Sequence, residues 1–207
     1  MATRSLSPVA YDRAMAPLER RGLARQRALT CAAAAGRVLE IGAGTGLNLA
    51  WYPGGVTVVA CEPDPALRGR LEQRAADAAA TVDVVAGGVP GLPFEDASFD
   101  TVVCTLVLCT VADLPGSVAE IHRLLAPDGH LLFLEHILGR SRVTAAVQRA
   151  MAPAWAAVAG GCRLDRDTIA ALRAGGFVVS DCERLAPLGR ISAGTVVRGR
   201  AIRRSGS

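Results

Sequence analysis

Val38-Leu39-Glu40-Ile41 is a short apolar run that breaks into Gly42-Ala43-Gly44-Thr45-Gly46, and no other stretch constrains the fold as strongly. Such a run, ended by glycines, reads as a buried parallel strand with a tight turn at its carboxyl end. Glycines at alternate positions let the backbone turn sharply and approach a ligand with no Cβ in the way. The chain then resumes as Leu47-Asn48-Leu49-Ala50-Trp51, which predicts a helix running on through Tyr52 and Pro53. Glu40, just before the glycines, suits a ligand with a positive amino group better than one with a pyrophosphate. Farther along, Val56 to Cys61 is a second β-rich run and ends in Glu62-Pro63-Asp64. An acidic side chain at that place can accept hydrogen bonds from both hydroxyls of a ribose. A plain glycine turn or a surface carboxylate explains either feature alone. Their succession points to a bound cofactor.

The alternation continues downstream. Pro65 to Ala80 reads as a helix, Val82 to Ala86 as a strand, and Thr101 to Cys104 as a hydrophobic fourth strand. Asp113 to Leu125 is helical, Pro127-Asp128-Gly129 reads as a turn, and His130 to Ile137 as a fifth strand. Strands alternating with helices from residue 37 to 137 predict an α/β fold with a doubly wound, mostly parallel sheet and helices on both faces. In the last third, Val143 to Ala159 reads as a helix interrupted at Pro153, and Asp167 to Ala174 as a short helix. Phe177 to Cys182 and Thr195 to Ile202 read as a closing antiparallel hairpin. At the other end, Pro17 and Gly22 divide the helical pattern of Tyr11 to Ala35 into two short helices. Residues 1–7 and Arg203 to Ser207 read as tails. With 207 residues and no repeat or linker, one domain is expected. Residues 8–35 would form a helical cap, 36–140 the cofactor-binding half, and 141–207 the substrate-side helices and closing strands.

Bulk properties remove other classes. The net charge of +4 comes entirely from arginine, since there is no lysine, and no basic run of five or six residues appears. No nucleic-acid partner is expected. The six cysteines are far apart, with no CxxC and no Cys/His ligand cluster, so no metal is expected. Several lie in apolar runs, where cysteine acts as a small hydrophobe. The polar first residues carry no leader-like apolar core, and no transmembrane run of 18 uncharged apolar residues exists. A reduced, cytoplasmic monomer or homodimer is the expectation.

The E-x-G-x-G-x-G spacing from Glu40 to Gly46 resembles motif I of the class I S-adenosylmethionine-dependent methyltransferases. It departs from the dinucleotide fingerprint because the third glycine comes one residue too soon. The resemblance implies a Rossmann-like seven-stranded sheet, S-adenosyl-L-methionine as cofactor and S-adenosyl-L-homocysteine as product. It assigns Glu40, Gly42, Ala43, Gly44 and Gly46 to the cofactor, with Glu62 and Pro63 at the ribose. Leu92-Pro93-Phe94 resembles the motif that precedes the fourth strand in many such enzymes. Many relatives carry an aspartate near Gly88 for the adenine amino group. None stands here, which leaves adenine to the backbone around Gly88 and Val89. Cys104, Thr105 and Leu106 fall where the central strands end, the edge at which open α/β sheets bind ligands.

A second resemblance reaches past the cofactor half. Val102-Val103-Cys104-Thr105-Leu106-Val107-Leu108-Cys109, Glu135-His136, Pro153-Ala154-Trp155 and Gly161-Cys162 resemble the methyltransferase-like family 7 group over roughly residues 36–185. Its characterised members are alkyl thiol S-methyltransferases with a hydrophobic N-terminal anchor that this sequence lacks. The resemblance implies a small-molecule acceptor, most simply a thiol, and leaves a biosynthetic intermediate open. A thiol attacks well only as thiolate. His136, at the end of the fifth strand, is the candidate catalytic base or electrostatic aid, against a plain structural histidine. Glu135 either orients His136 or points to the opposite face, since neighbouring strand residues alternate. Tyr11, Met15, Cys109, Gln148 and Trp155 are the further pocket candidates, with Met151 beside them, although ordinary packing explains several. N-methylation of a lipid amine and C- or O-methylation of a quinone-like precursor remain alternatives. So does a non-catalytic S-adenosylmethionine-binding protein. A nicotinamide-dependent dehydrogenase is disfavoured by the glycine spacing and the absence of lysine.

Overall fold

The computed structural model describes residues 7–185 and 195–204. Seven strands form one sheet in the order β3-β2-β1-β4-β5-β7-β6. In chain order they are β1 (Arg37–Ile41), β2 (Thr57–Cys61), β3 (Thr81–Val85), β4 (Phe99–Thr105), β5 (Leu125–Ile137), β6 (Phe177–Arg184) and β7 (Thr195–Arg203). The first five pair in parallel, and β7 runs antiparallel between β5 and β6. The strand order reverses at β1, where the neighbours are β2 and β4. In this topology ligands bind outside the carboxyl ends of the strands at that reversal.

Alternating side chains give the sheet two cores. Leu39, Ile41, Val59, Cys61, Val102, Cys104, Leu131 and Phe133 face one way, against α4 (Leu114–Leu124) and α6 (Thr168–Ala174). Val38, Val58, Ala60, Val103 and Leu132 face the other way, against α2 (Ala24–Cys31) and α3 (Pro65–Ala75). Each of α3, α4 and α6 opens on an aspartate N-cap, Asp64, Asp113 or Asp167, which accepts from a first-turn amide. The expected mostly parallel α/β sheet with a closing hairpin is what folds.

Several local expectations are corrected. No α-helix follows the glycine turn; only a 3-10 turn, Leu49–Trp51, forms there. Gly44 and Gly46 are left-handed, and Asn48 is drawn into the interior, so that segment has no helical register to start from. The N-terminal helices do form as two, α1 (Pro8–Leu18) and α2, but Gly22 at φ 121° makes the break, while Pro17 sits within α1. α5 (Arg142–Val158) runs uninterrupted through Pro153. Pro153 and Arg149, the residue whose carbonyl it leaves without a helical partner, are both exposed. β5 begins at Leu125 and includes the expected turn at Pro127-Asp128-Gly129, and Arg203 belongs to β7 rather than to a tail. Ser7 caps α1; residues 1–6 and 205–207 lie outside the described residues.

Candidate active site

The glycine turn follows β1 with Gly42, Gly44 and Gly46 all at positive φ. Each glycine answers a different demand. A Cβ on Gly42 would lie 2.7 Å from Val107 Cγ2, and one on Gly46 2.9 Å from Leu71 Cδ1. Gly44 is less crowded: its Cβ would come no closer than 3.7 Å to the Tyr11 hydroxyl. Helix α1 is thus laid over the turn, with Tyr11 above Gly44. Asp12 anchors it there, accepting from Thr45 Oγ1 at 2.7 Å and pairing with Arg74 at 2.7 Å.

A carboxylate lies on each side of the turn. Glu62, buried at the end of β2, accepts from Gly44 N at 2.8 Å and Asp64 N at 2.9 Å. Burial pushes its pKa up, against the pull of those two amides. Glu40 lies behind the turn and is wholly buried. Its two oxygens accept from Asn48 Nδ2 and the Tyr52 hydroxyl, both at 2.9 Å. Desolvation raises its pKa to about 7 even so. Asn48 in turn accepts from Arg27 Nη1 at 2.9 Å, and Thr105 Oγ1 receives both Arg27 and Asn48. Glu40, Asn48, Arg27 and Thr105 form one interior polar network, and its only surface connection among these bonds runs from Arg27 to Glu19. Two carboxylates beside the turn repel a polyphosphate and favour a cationic ligand with hydroxyls to donate.

Gly88 and Val89 follow β3. Pro63 Cγ lies 3.5 Å from where a Gly88 Cβ would stand, so the ends of β2 and β3 meet beside the turn. Ala43 is buried within the turn, and Cys104 is wholly buried on the opposite sheet face from Glu40. Leu106, just past β4, has φ 59°, a strained conformation for leucine. Its amide bonds Leu134 O at 2.7 Å, and the kink sends the backbone over Glu135. The Glu135 oxygens accept from the amides of Val107 and Leu108 at 2.9 Å and Cys109 at 3.1 Å. Glu135 is therefore the anchor of the 107–109 segment, on the opposite face from His136. Burial raises its pKa well above the usual carboxylate range.

His136 sits at the edge that this segment borders. Its Nδ1 lies 3.4 Å from Cys162 Sγ, and Cys162 Sγ lies 3.5 Å from Cys109 Sγ. The three donor atoms fall within 4.8 Å of one another. Spacing along the chain predicts no Cys/His ligand cluster; the fold assembles one from three segments. Contact with the Cys109 thiol holds Cys162 below the usual thiol value, while Cys162 and burial push Cys109 up, as two thiols sharing a proton require. Trp155 packs on this group, and its buried indole N–H faces the Cys162 sulfur, helping to hold that thiol below its usual value.

Other pocket candidates divide. Met15 packs with Leu106 and Leu134, next to the strained kink. Gln148 is buried and its amide is taken by the backbone, accepting from Gly139 N at 2.6 Å and donating to Ile137 O at 3.1 Å. Met151 is exposed. Asp12, Arg27 and Cys162 gain partners only across the fold, and Asn48 and Tyr52 reach Glu40 only because the segment after the glycine turn folds back on β1, so sequence spacing marks none of the five as a site residue.

Comparison with known proteins identifies the family. Residues 39–133 match the family model described as "Methyltransferase domain". The chain is 32% identical to thiol S-methyltransferase TMT1B of Homo sapiens over 93% of its own length and 81% of that protein. It is 36% identical to the TMT1B of Rattus norvegicus over 63% of its length, a match spanning 55% of the rat protein. A solved Thermotoga maritima SAM-dependent methyltransferase, described as a possible histamine N-methyltransferase, superposes with a TM-score of 0.70. That superposition covers 94% of this chain and 95% of the other at 22% identity, a likeness of fold. This protein is an S-adenosylmethionine-dependent methyltransferase. Within that class, the chain belongs to the family of the thiol S-methyltransferases typified by human TMT1B.

Proposed function

We propose that the protein transfers a methyl group from S-adenosylmethionine to the sulfur of a small thiol. The observation that carries the cofactor assignment is the pair of carboxylates, Glu40 and Glu62, on either side of a left-handed glycine turn capped by Tyr11. Gly44 gives a ligand close access to the backbone, and Glu62 is placed to accept from ribose hydroxyls. Backbone at Gly88 and Val89 borders the adenine, and Glu40 supplies negative charge from behind the turn. Bound S-adenosylmethionine supplies an electrophilic methyl group on a sulfonium. The protein's own task is then mainly positioning, which contributes several kcal/mol when the nucleophile is held close and in line. Leu106, Met15 and Tyr11 form the apolar cover that excludes water, and His136 favours the thiolate form of the acceptor. Support for a thiol comes from the relatives' named activity and from this cluster at the carboxyl edge of β4 and β5. Residues 8–35 act as a cap within a single domain. Among the described residues no helix is long and apolar enough to cross a membrane. Five buried free cysteines fit the reducing conditions of the cytoplasm.

The test is methyl transfer from labelled S-adenosylmethionine to a panel of small thiols, amines, phenols and phospholipids. Selective labelling of thiols is expected. Labelling of amines or phenols in their place refutes the acceptor assignment, and cofactor binding without transfer to any of them marks a binding protein.

A further inference from the structure

We propose that Cys109, His136 and Cys162 form a binding site for a thiophilic divalent cation of the zinc class, with its fourth position kept for the acceptor thiolate. The second part rests on the thiol reading above; the first part does not.

Geometry carries the site. A tetrahedral zinc with sulfur at about 2.3 Å and nitrogen at about 2.0–2.1 Å places neighbouring donors about 3.5–3.8 Å apart. The observed contacts are 3.5 Å between Cys109 Sγ and Cys162 Sγ and 3.4 Å between Cys162 Sγ and His136 Nδ1. Three protein ligands with two thiolates and one imidazole make the donor set of a zinc site that keeps a position open. The scaffold is held in advance, as such a site requires. Cys109 is pinned through its amide to Glu135, and its carbonyl accepts from Arg163 N at 2.8 Å, fixing the turn that carries Cys162. That turn is shaped by Gly160 and Gly161, both at positive φ. His136 comes from the rigid end of β5. All three residues are buried, Cys109 fully and His136 and Cys162 with 8% and 7% exposure, so the donors are shielded from bulk water.

Charge indicates the occupant of the fourth position. Two thiolates neutralise a divalent cation, and a third thiolate from the acceptor leaves one negative charge. Arg166 lies within electrostatic reach of Cys109 and Cys162 and is fixed by its bond to Leu108 O at 2.9 Å. Its positive charge balances that excess. His136 thus favours the thiolate as a ligand of the metal rather than as a base. An acceptor thiol gives its proton to solvent as its sulfur joins the metal. A sulfur lone pair forms the new bond to the methyl carbon, and the old carbon–sulfonium bond breaks with its electron pair left on S-adenosylhomocysteine. The product thioether is neutral, a weaker ligand, and departs.

The experiment is titration of chelator-treated full-length protein with Co²⁺ under reducing conditions, read by absorption. One Co²⁺ per chain is expected, with a near-ultraviolet sulfur-to-cobalt charge-transfer band and the visible bands of tetrahedral cobalt, displaced by Zn²⁺. Cys109→Ser, Cys162→Ser and His136→Asn should each weaken Co²⁺ by more than the ~10–100-fold that follows loss of an outer-shell partner. Cys182→Ser, the exposed cysteine outside the cluster, should leave the band unchanged. Absence of the band in the wild-type protein overturns the site without reference to any variant, as does its loss in Cys182→Ser. A small alkyl thiol added without S-adenosylmethionine should shift the visible bands; an unchanged spectrum overturns the open position. Thiol methylation by protein that binds no cobalt overturns the metal and leaves the thiol activity standing.

Discussion

Replacement of Glu40 by glutamine tests the electrostatics of the glycine turn. The folded protein lifts the Glu40 pKa from an ordinary 4.5 to about 7, chiefly through burial, and donor bonds from Tyr52 and Asn48 only partly oppose that. A raised carboxyl pKa means that the folded state holds the proton more tightly than the unfolded chain. Below about 4.5 the group is protonated in both states and costs nothing. As pH rises from 4.5 to about 7, the unfolded chain releases its proton first and stability falls. Above 7 the full cost stands. At about 1.4 kcal/mol per pH unit, that gap corresponds to about 3 kcal/mol. Glutamine resembles the protonated acid: its carbonyl can accept from Asn48 and its amide can donate to the Tyr52 oxygen. Urea unfolding of both proteins from pH 4.5 to 8 should therefore show Glu40→Gln gaining on the wild type by up to about 3 kcal/mol as pH rises. Other titrating groups are common to both proteins and largely cancel. Parallel pH profiles, or a wild-type advantage that grows with pH, would refute the reasoning. The same linkage carries to the cofactor: positive charge brought beside the turn favours ionised Glu40. Affinity for S-adenosylmethionine should rise with pH up to about 7 in the wild type and stay flatter in Glu40→Gln.

Glu62→Ala removes the acceptor of Gly44 N and should weaken S-adenosylmethionine binding by ~1–3 kcal/mol in calorimetry; unchanged affinity would move the ribose elsewhere. Gly42→Ala and Gly44→Ala both force alanine into a left-handed conformation costing ~1–2 kcal/mol, but only the first meets a neighbour at 2.7 Å. Gly42→Ala should lower the melting temperature more, while Gly44→Ala should lose more cofactor affinity than stability. Equal melting shifts would contradict the packing account. Glu135→Ala leaves the amides of Val107, Leu108 and Cys109 without their acceptor and should lower stability by ~1–3 kcal/mol, with a fall in methyl transfer as the 107–109 segment loosens. Undiminished stability in urea would show that the segment is held by other contacts.

What was legible in the sequence follows from what is local. Tight glycine turns and the alternation of strands with helices are set by neighbouring residues, so Gly42 to Gly46, the seven strands and most helices are legible directly. Proline disfavours a helix interior by losing one backbone bond and crowding the carbonyl four residues back, yet the other residues of the 17-residue α5 carry the helix through Pro153, a balance that a single breaker residue does not reveal. Gln148 looked like a pocket residue by its place on the helix, yet its amide satisfies the backbone of Gly139 and Ile137, a pairing that no periodicity encodes. The Glu40 network is of the same kind, since Arg27 reaches Thr105 across 78 positions of chain.

The cysteine–histidine cluster shows where such a reading can be extended. Ligand spacing is usually sought within one loop, and Cys162 stands 53 positions from Cys109 and 26 from His136. A doubly wound sheet, however, gathers the residues that follow each parallel strand at one edge. The residues after β1 and β2 give the glycine turn and Glu62, and those at the ends of β4 and β5 give Cys109 and His136. Strand order alone therefore places all of these together, because parallel strands put all their carboxyl ends on one side. Cys162 escapes that rule. It arrives from the turn after α5, held by a backbone bond to Cys109 that only the folded chain reveals.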